Sequence, residues 1–127
     1  MKSGLFSLVA ALATAVALPV MADGDPEAGE KVFKKCKACH AVGADAKNKV
    51  GPQLNGIVGN AAGQVEGFKY SDNLLELAAE GLTWDEPTLT IYLAKPKDLI
   101  PKTKMSFAGL RKDEEIQNVI AYLQTFE

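Results

Sequence analysis

Cys36-Lys37-Ala38-Cys39-His40 gathers both cysteines and the single histidine of the chain into five residues. On a helix, positions i, i+3 and i+4 share one face. Both thiols and the imidazole are therefore expected to point the same way. A redox dithiol has the same Cys-x-x-Cys spacing but expects a strand–helix context that the flanking sequence does not offer. Zinc would need a fourth nitrogen or sulfur ligand, and the chain has no further His or Cys. Two ordinary core thiols are the remaining plain reading.

Cys-x-x-Cys-His is the attachment signature of a c-type haem. Two thiols can add to the two vinyl groups of the macrocycle, and the next imidazole can reach the iron from one side. Thioether bonds make such a cofactor permanent. One covalent haem is expected, held through Cys36 and Cys39 with His40 on the metal.

The 127 residues suit one domain. The start reads as a secretory signal: Lys2 is its basic end, Leu5 to Val20 is an apolar run, and Val20-Met21-Ala22 offers a small-residue cleavage site. Cleavage there divides the chain into a leader, residues 1–22, and a mature domain, residues 23–127. An uncleaved membrane anchor is the alternative, although the run is near the lower length limit for spanning a bilayer. The mature part is small for a packed core, and a buried haem would supply apolar volume. Export suits covalent haem attachment, which in bacteria occurs outside the cytoplasm, so the periplasm is the expected location. Loss of Lys2 takes the charge from 14 basic and 16 acidic residues to 13 and 16, a net −3. That balance argues against nucleic-acid binding.

The helices are marked by their caps. Asp25-Pro26-Glu27 opens the first: a cap residue, a proline at the first helical position and an acid near the positive end of the dipole. Gly29, Val32, Phe33 and Cys36 form one face, with Phe33 in the core and Gly29 leaving room for another helix. This helix is expected to run into the cysteine motif and end about there. Residues 41–69 show no period and read as loop. Within them lies Gly51-Pro52-Gln53-Leu54. A proline carbonyl can accept a hydrogen bond, and a ligating His normally has its other nitrogen held by such an acceptor. Pro52 is the candidate for that role, against the plainer reading of an ordinary turn.

Ser71 caps a short second helix stopped by Gly81, with Leu74, Leu77 and Ala78 on its buried face. A third helix is expected from about Asp85 to Ala94, ending before Pro96. Residues 95–111 read as a second loop. The last helix spans about Lys112 to Thr125. Its stripe of Ile116, Val119, Ile120 and Leu123 is expected to cross the first helix near Gly29. No strand pattern appears, so the fold class is all-α.

The sixth position on the iron decides the chemistry. A haem held only by His can bind gas or peroxide, whereas one closed by a second protein ligand mostly transfers electrons. Met105 is the single Met of the mature chain and stands in the loop Ile100-Pro101-Lys102-Thr103-Lys104-Met105. A core-filling Met more often sits on an apolar helix face. With no second His, Met105 is the only soft axial partner left, and thioether ligation raises the potential. Haem propionates brought into a low-dielectric interior need donors. Tyr70 and Trp84 can each supply one, with plain core packing as the alternative for both.

Taken together, these residues resemble the class I c-type cytochromes, and closely the cytochrome c2 and mitochondrial cytochrome c branch. The resemblance covers nearly all of 24–126. It is carried by Gly29 and Phe33, Cys36 to His40, Gly51 to Gly56, Gly67-Phe68-Lys69-Tyr70, Gly81-Leu82-Thr83-Trp84, Tyr92-Leu93, Ile100 to Gly109 and Ile120-Ala121-Tyr122-Leu123. It implies three main helices with short helices and loops wrapped around one haem. It also implies His40 and Met105 as axial ligands, Pro52 holding His40, and Tyr70 and Trp84 on the propionates. Tyr92 and Thr103 would line the ligand side, and Phe107 would cover the exposed haem edge. Where the family usually has an arginine beside a propionate, after Val58-Gly59, this chain has Asn60. A lower potential is expected from that missing charge. The Tyr70–Trp84 segment is also slightly longer than in the mitochondrial form.

The expected function is a non-enzymatic, monomeric shuttle that carries one electron at a time and has no small-molecule substrate. The resemblance implies a cytochrome bc-type donor and a reaction centre, terminal oxidase or reductase as acceptor. Lys35, Lys37, Lys49, Lys95, Lys97, Lys102 and Lys104 flank the expected opening, and the acids fall in other segments. Such a dipole steers association with an acidic partner and makes the on-rate salt-sensitive. A membrane-anchored relay, or a gas-sensing or peroxidase-like protein with a displaceable Met, are the alternatives.

Overall fold

The computed structural model describes Gly4 and residues 23–127. The predicted leader, 1–22, lies outside the described residues apart from Gly4. Five helices follow in order: α1 Pro26–Phe33, α2 Asp72–Ala79, α3 Glu86–Ala94, α4 Pro96–Leu99 and α5 Asp113–Gln124. Among the described residues the only β feature is an isolated antiparallel bridge between Ala61 and Thr83. No helix among them is long and apolar enough to cross a membrane.

The caps expected at Asp25 and Ser71 are in place, and Asp85 supplies a third. The Asp25 carboxylate accepts from Glu27 N–H at 3.0 Å, Ser71 Oγ from Leu74 N–H at 3.1 Å, and Asp85 from Thr88 N–H at 2.9 Å. Each satisfies an amide that the first helical turn leaves without a partner. Gly81, with φ +100°, ends α2. Gly81 N–H donates to Ala78 O and Leu82 N–H to Leu77 O, both at 3.0 Å, which is the Schellman arrangement of a left-handed glycine stop.

Two boundaries differ from expectation. α1 ends at Phe33, ahead of the cysteine motif. Residues 34–39 form consecutive turns, with Lys35 N–H bonded to Val32 O and Cys36 N–H to Phe33 O. These i→i+3 bonds tighten the last turns of a helix. The stretch read as loop at 95–111 also contains α4, whose Pro96 occupies the first helical position.

The frame is the pairing of the two terminal helices. α5 buries Ile116, Val119, Ile120 and Leu123, the stripe read from the sequence. α1 lies against it. A Cβ on Gly29 would collide with the Asn118 carbonyl and stand 2.7 Å from Tyr122 Cβ, so the backbones approach as closely as a missing side chain permits. Phe33, 2% exposed, packs on Tyr122 with ring centroids 5.4 Å apart. Asp25 N–H donates to the Asn118 side chain at 2.9 Å. α3 packs on α4 and α5, whereas α2 packs on none of the other described helices and reaches the core through Leu74.

Candidate functional site

The cysteine motif sits on the tightened turns that continue α1. Cys36 O accepts from Cys39 N–H at 3.1 Å and from His40 N–H at 2.9 Å. The second is an α-type i→i+4 bond, so the motif keeps one helical turn. Cys36 and Cys39 are free thiols of intermediate exposure. Burial pushes the Cys36 thiol up, Lys35 works against it, and Cys39 adds to it.

His40 is held from outside the motif. Its Nδ1 lies 2.7 Å from the Pro52 carbonyl oxygen. A carbonyl only accepts, so Nδ1 carries the proton and Nε2 keeps a free lone pair. Burial lowers the histidine's pKa and outweighs the opposing pull of the Pro52 bond. The ring is thus kept neutral, the form that donates to a metal. Gly51 presses on the same ring: a Cβ there would run into Cε1 and stand 2.8 Å from Nδ1 and 2.9 Å from Nε2. The Gly51 backbone is fixed by two 2.9 Å bonds, Gly51 N–H to Cys39 O and Lys49 N–H to Gly51 O.

Two asparagines that the sequence reading passed over brace this loop. Asn55 accepts from Gly43 N–H at 2.8 Å and returns its amide to Gly43 O at 2.7 Å. Asn48 accepts from Gln53 N–H and donates to Glu66 O, both at 3.0 Å. Their signal is weak, because asparagine in an aperiodic loop reads as turn-forming whichever bonds it makes.

Met105 stands in a second fixed loop. Its N–H donates to Thr103 Oγ1 at 3.1 Å. The Tyr92 hydroxyl lies 3.4 Å from Thr103 Oγ1 and 3.5 Å from Met105 Sδ. One proton arrangement satisfies all three contacts: Thr103 donates to the Tyr92 oxygen, and Tyr92 donates to the sulfur. α3 thus supplies, through Tyr92, the group that orients the thioether. Tyr92 is buried and stacks on Trp84 with ring centroids 4.9 Å apart. Burial raises the Tyr92 pKa against the Thr103 bond, so the phenol keeps its proton.

Tyr70 is buried at the entry of α2, and its oxygen accepts from Val65 N–H at 2.9 Å. Accepting there leaves its own proton available to donate, and burial raises its pKa. Trp84 is 6% exposed, and its backbone is tied by Trp84 N–H to Asn60 O at 2.8 Å and Gly59 N–H to Trp84 O at 2.7 Å. Phe107 and Met105 are partly buried and pack against the core, as do Cys36, Val42 and Leu54. The donor set fits a covalently attached haem. It has two thiols on one turn, an imidazole with its outer nitrogen engaged and its inner one free, and an oriented thioether in an apolar setting. The seven lysines expected to flank the opening are all exposed. Lys35 pairs with Glu115 at 3.5 Å and Lys95 with Asp98 at 3.7 Å.

Residues 26–127 match the Cytochrome c family model. The chain is 54% identical over 101 residues to cytochrome c-550 of Ancylobacter novellus, covering 80% of this chain and 94% of that one. It is 51% identical over 104 residues to cytochrome c2 of Rhodoblastus acidophilus, covering 82% and 94%. The solved cytochrome c2 from Rhodospirillum centenum superposes with a TM-score of 0.77 at 41% identity, covering 81% of this chain and 98% of that one. A motif that presents two thiols and a ligand-ready imidazole, a shell of helices closed by its own two ends, and these matches agree, and the chain belongs to the cytochrome c family.

Proposed function

We propose that this monohaem electron carrier works in the periplasm, after removal of residues 1–22. It would take single electrons from a cytochrome bc-type complex and pass them to a reaction centre, terminal oxidase or reductase. When bound, the haem supplies a one-electron couple at its iron. The chain's own residues fix that couple. Cys36 and Cys39 would hold the macrocycle, and His40 and Met105 would ligate its iron. Pro52 keeps the imidazole in its ligating tautomer, and Tyr92 and Thr103 hold the thioether. Tyr70 and Trp84 would donate to the propionates, and Phe107 would shield the edge. An iron held by both His40 and Met105 would leave no place for a substrate, which suits a carrier and not an enzyme.

The observation that carries this reading is the 2.7 Å contact of His40 Nδ1 with the Pro52 carbonyl. It leaves one nitrogen of the only histidine free for the iron. Absorption spectra of the purified protein in both oxidation states test it. The ferric form is expected to show a sulfur-to-iron charge-transfer band, and the ferrous form to resist carbon monoxide. A ferric spectrum without that band, or ready binding of carbon monoxide, overturns the closed site.

Docking would use a lysine-rich side. Lys37, Lys97 and Lys102 are each exposed, and opposite charge on the partner would raise the encounter rate. Electron-transfer rates to the membrane complex are expected to fall as ionic strength rises.

A further inference from the structure

We infer that Asn73 is a positioning residue for Met105, latching the methionine loop to the entry of α2. The inference rests on the axial role proposed for Met105. Lys102 N–H donates to Asn73 Oδ1 at 3.0 Å, across 29 residues. Beside it, the Lys104 ammonium reaches the Tyr70 carbonyl at 3.5 Å. The two contacts bracket Thr103, whose hydroxyl accepts the Met105 N–H.

Asn73 is the second residue of α2. The helix cap is already supplied by Ser71 Oγ on Leu74 N–H, so the Asn73 oxygen is not needed there and serves the neighbouring loop. α2 packs on none of the other described helices, so this bond does not bridge a helix interface. It joins one surface segment to the segment that carries the thioether. The loop's own short-range support is two bonds, Thr103 N–H to Ile100 O at 3.0 Å and Met105 N–H to Thr103 Oγ1 at 3.1 Å, and Tyr92 on α3 adds two long contacts. A bond from outside the loop therefore bears directly on how often the thioether swings away.

The consequence is a local opening equilibrium. An external ligand binds only the open loop, so its apparent affinity scales with the open fraction. Losing one net hydrogen bond of ordinary strength raises that fraction about fivefold. Asn73→Ala also favours helix, so α2 itself is not weakened. Asn73→Asp keeps an oxygen acceptor at the same place.

The test is imidazole titration of the ferric holoprotein, followed by loss of the sulfur-to-iron band, with hydrogen exchange of the Lys102 amide as a second readout. Asn73→Ala is expected to bind imidazole about fivefold more tightly and to exchange the Lys102 amide faster. Asn73→Asp is expected to stay near the unsubstituted protein in both. Wild-type imidazole affinity in a folded Asn73→Ala, or an Asn73→Asp that behaves like Asn73→Ala, overturns the latch and leaves the axial role standing. Absence of the band in the unsubstituted protein overturns the axial role and the latch with it.

Discussion

Gly51→Ala is expected to strike the histidine through a single methyl group. The backbone at Gly51 is not in the left-handed region, so alanine has no conformational objection to the site. The objection is the imidazole. The new Cβ would lie 2.8 Å from Nδ1 and 2.9 Å from Nε2 of His40 and would run into Cε1. Comfortable contact begins near 3.5 Å, and the clash at Cε1 is the tightest, so the ring must retreat by about 1 Å. The backbone cannot yield instead, because Cys39 and Lys49 hold it from both sides. A retreat of that size draws Nδ1 from Pro52 O, 2.7 Å away, past the useful hydrogen-bond limit. Overpacking costs about 1–3 kcal/mol, and the weakened hydrogen bond about 1 kcal/mol more. The expected loss is about 2–4 kcal/mol, read as a lower guanidinium midpoint of the haem-loaded protein at unchanged slope. The His40 Nδ1 proton resonance is expected to shift with it. A loss under about 0.5 kcal/mol with that resonance unmoved would refute the reasoning, since surface substitutions alone reach that size.

Gly29→Ala is expected to cost about 1–3 kcal/mol by forcing α1 from the Asn118 carbonyl, seen as a drop in Tm; an unchanged Tm contradicts the close contact. Asn60→Arg is expected to raise the reduction potential by adding a positive charge at an exposed position whose side-chain oxygen accepts from Ala61 N–H; a redox titration without a rise removes the charge argument. Asp85→Asn is expected to leave neutral-pH stability nearly unchanged, since both residues cap well. It would flatten the acid limb, however. Bonds from the Thr88 side chain and amide hold the Asp85 carboxyl below its ordinary value, so below that value the unfolded chain binds the extra proton first. The stabilisation present at higher pH is then lost as pH falls through the depressed folded pKa. Thermal melts of the two proteins, alike at neutral pH, should diverge as the pH is lowered through that window, with Asp85→Asn keeping the higher Tm.

Three helix starts were legible because each depends on one capping side chain, whereas α4 and α5 start without one. Asp25, Ser71 and Asp85 each cap the helix that the sequence assigns to them. The α5 stripe was equally clear, since four apolar residues at helical spacing leave one way to fold. The Gly29 crossing and the Pro52 contact also followed, from the smallness of one residue and the bare acceptor of the other. α4 was not legible. Its four residues are too few to show a period, and Pro96 read as a stop although proline also begins helices. The early end of α1 was hidden for a different reason: the α to i→i+3 tightening leaves the apolar spacing intact through Cys36. The braces at Asn48, Asn55 and Asn73 lay beyond sequence reading, because a polar side chain in a loop or first turn does not reveal which distant amide it will meet. Ile91 sits 52% exposed on α3, an apolar residue that no period would have turned outward.

The contact of Asp25 with Asn118 spans 93 residues. It makes the fold a buckle whose tongue and frame are α1 and α5. A chain made from its amino end can form single turns, but Phe33 has no seat until α5 has emerged. Closure of so distant a pairing is slow by topology. The cysteines therefore spend the interval on an open strand, within reach of whatever machinery must join them to their cofactor.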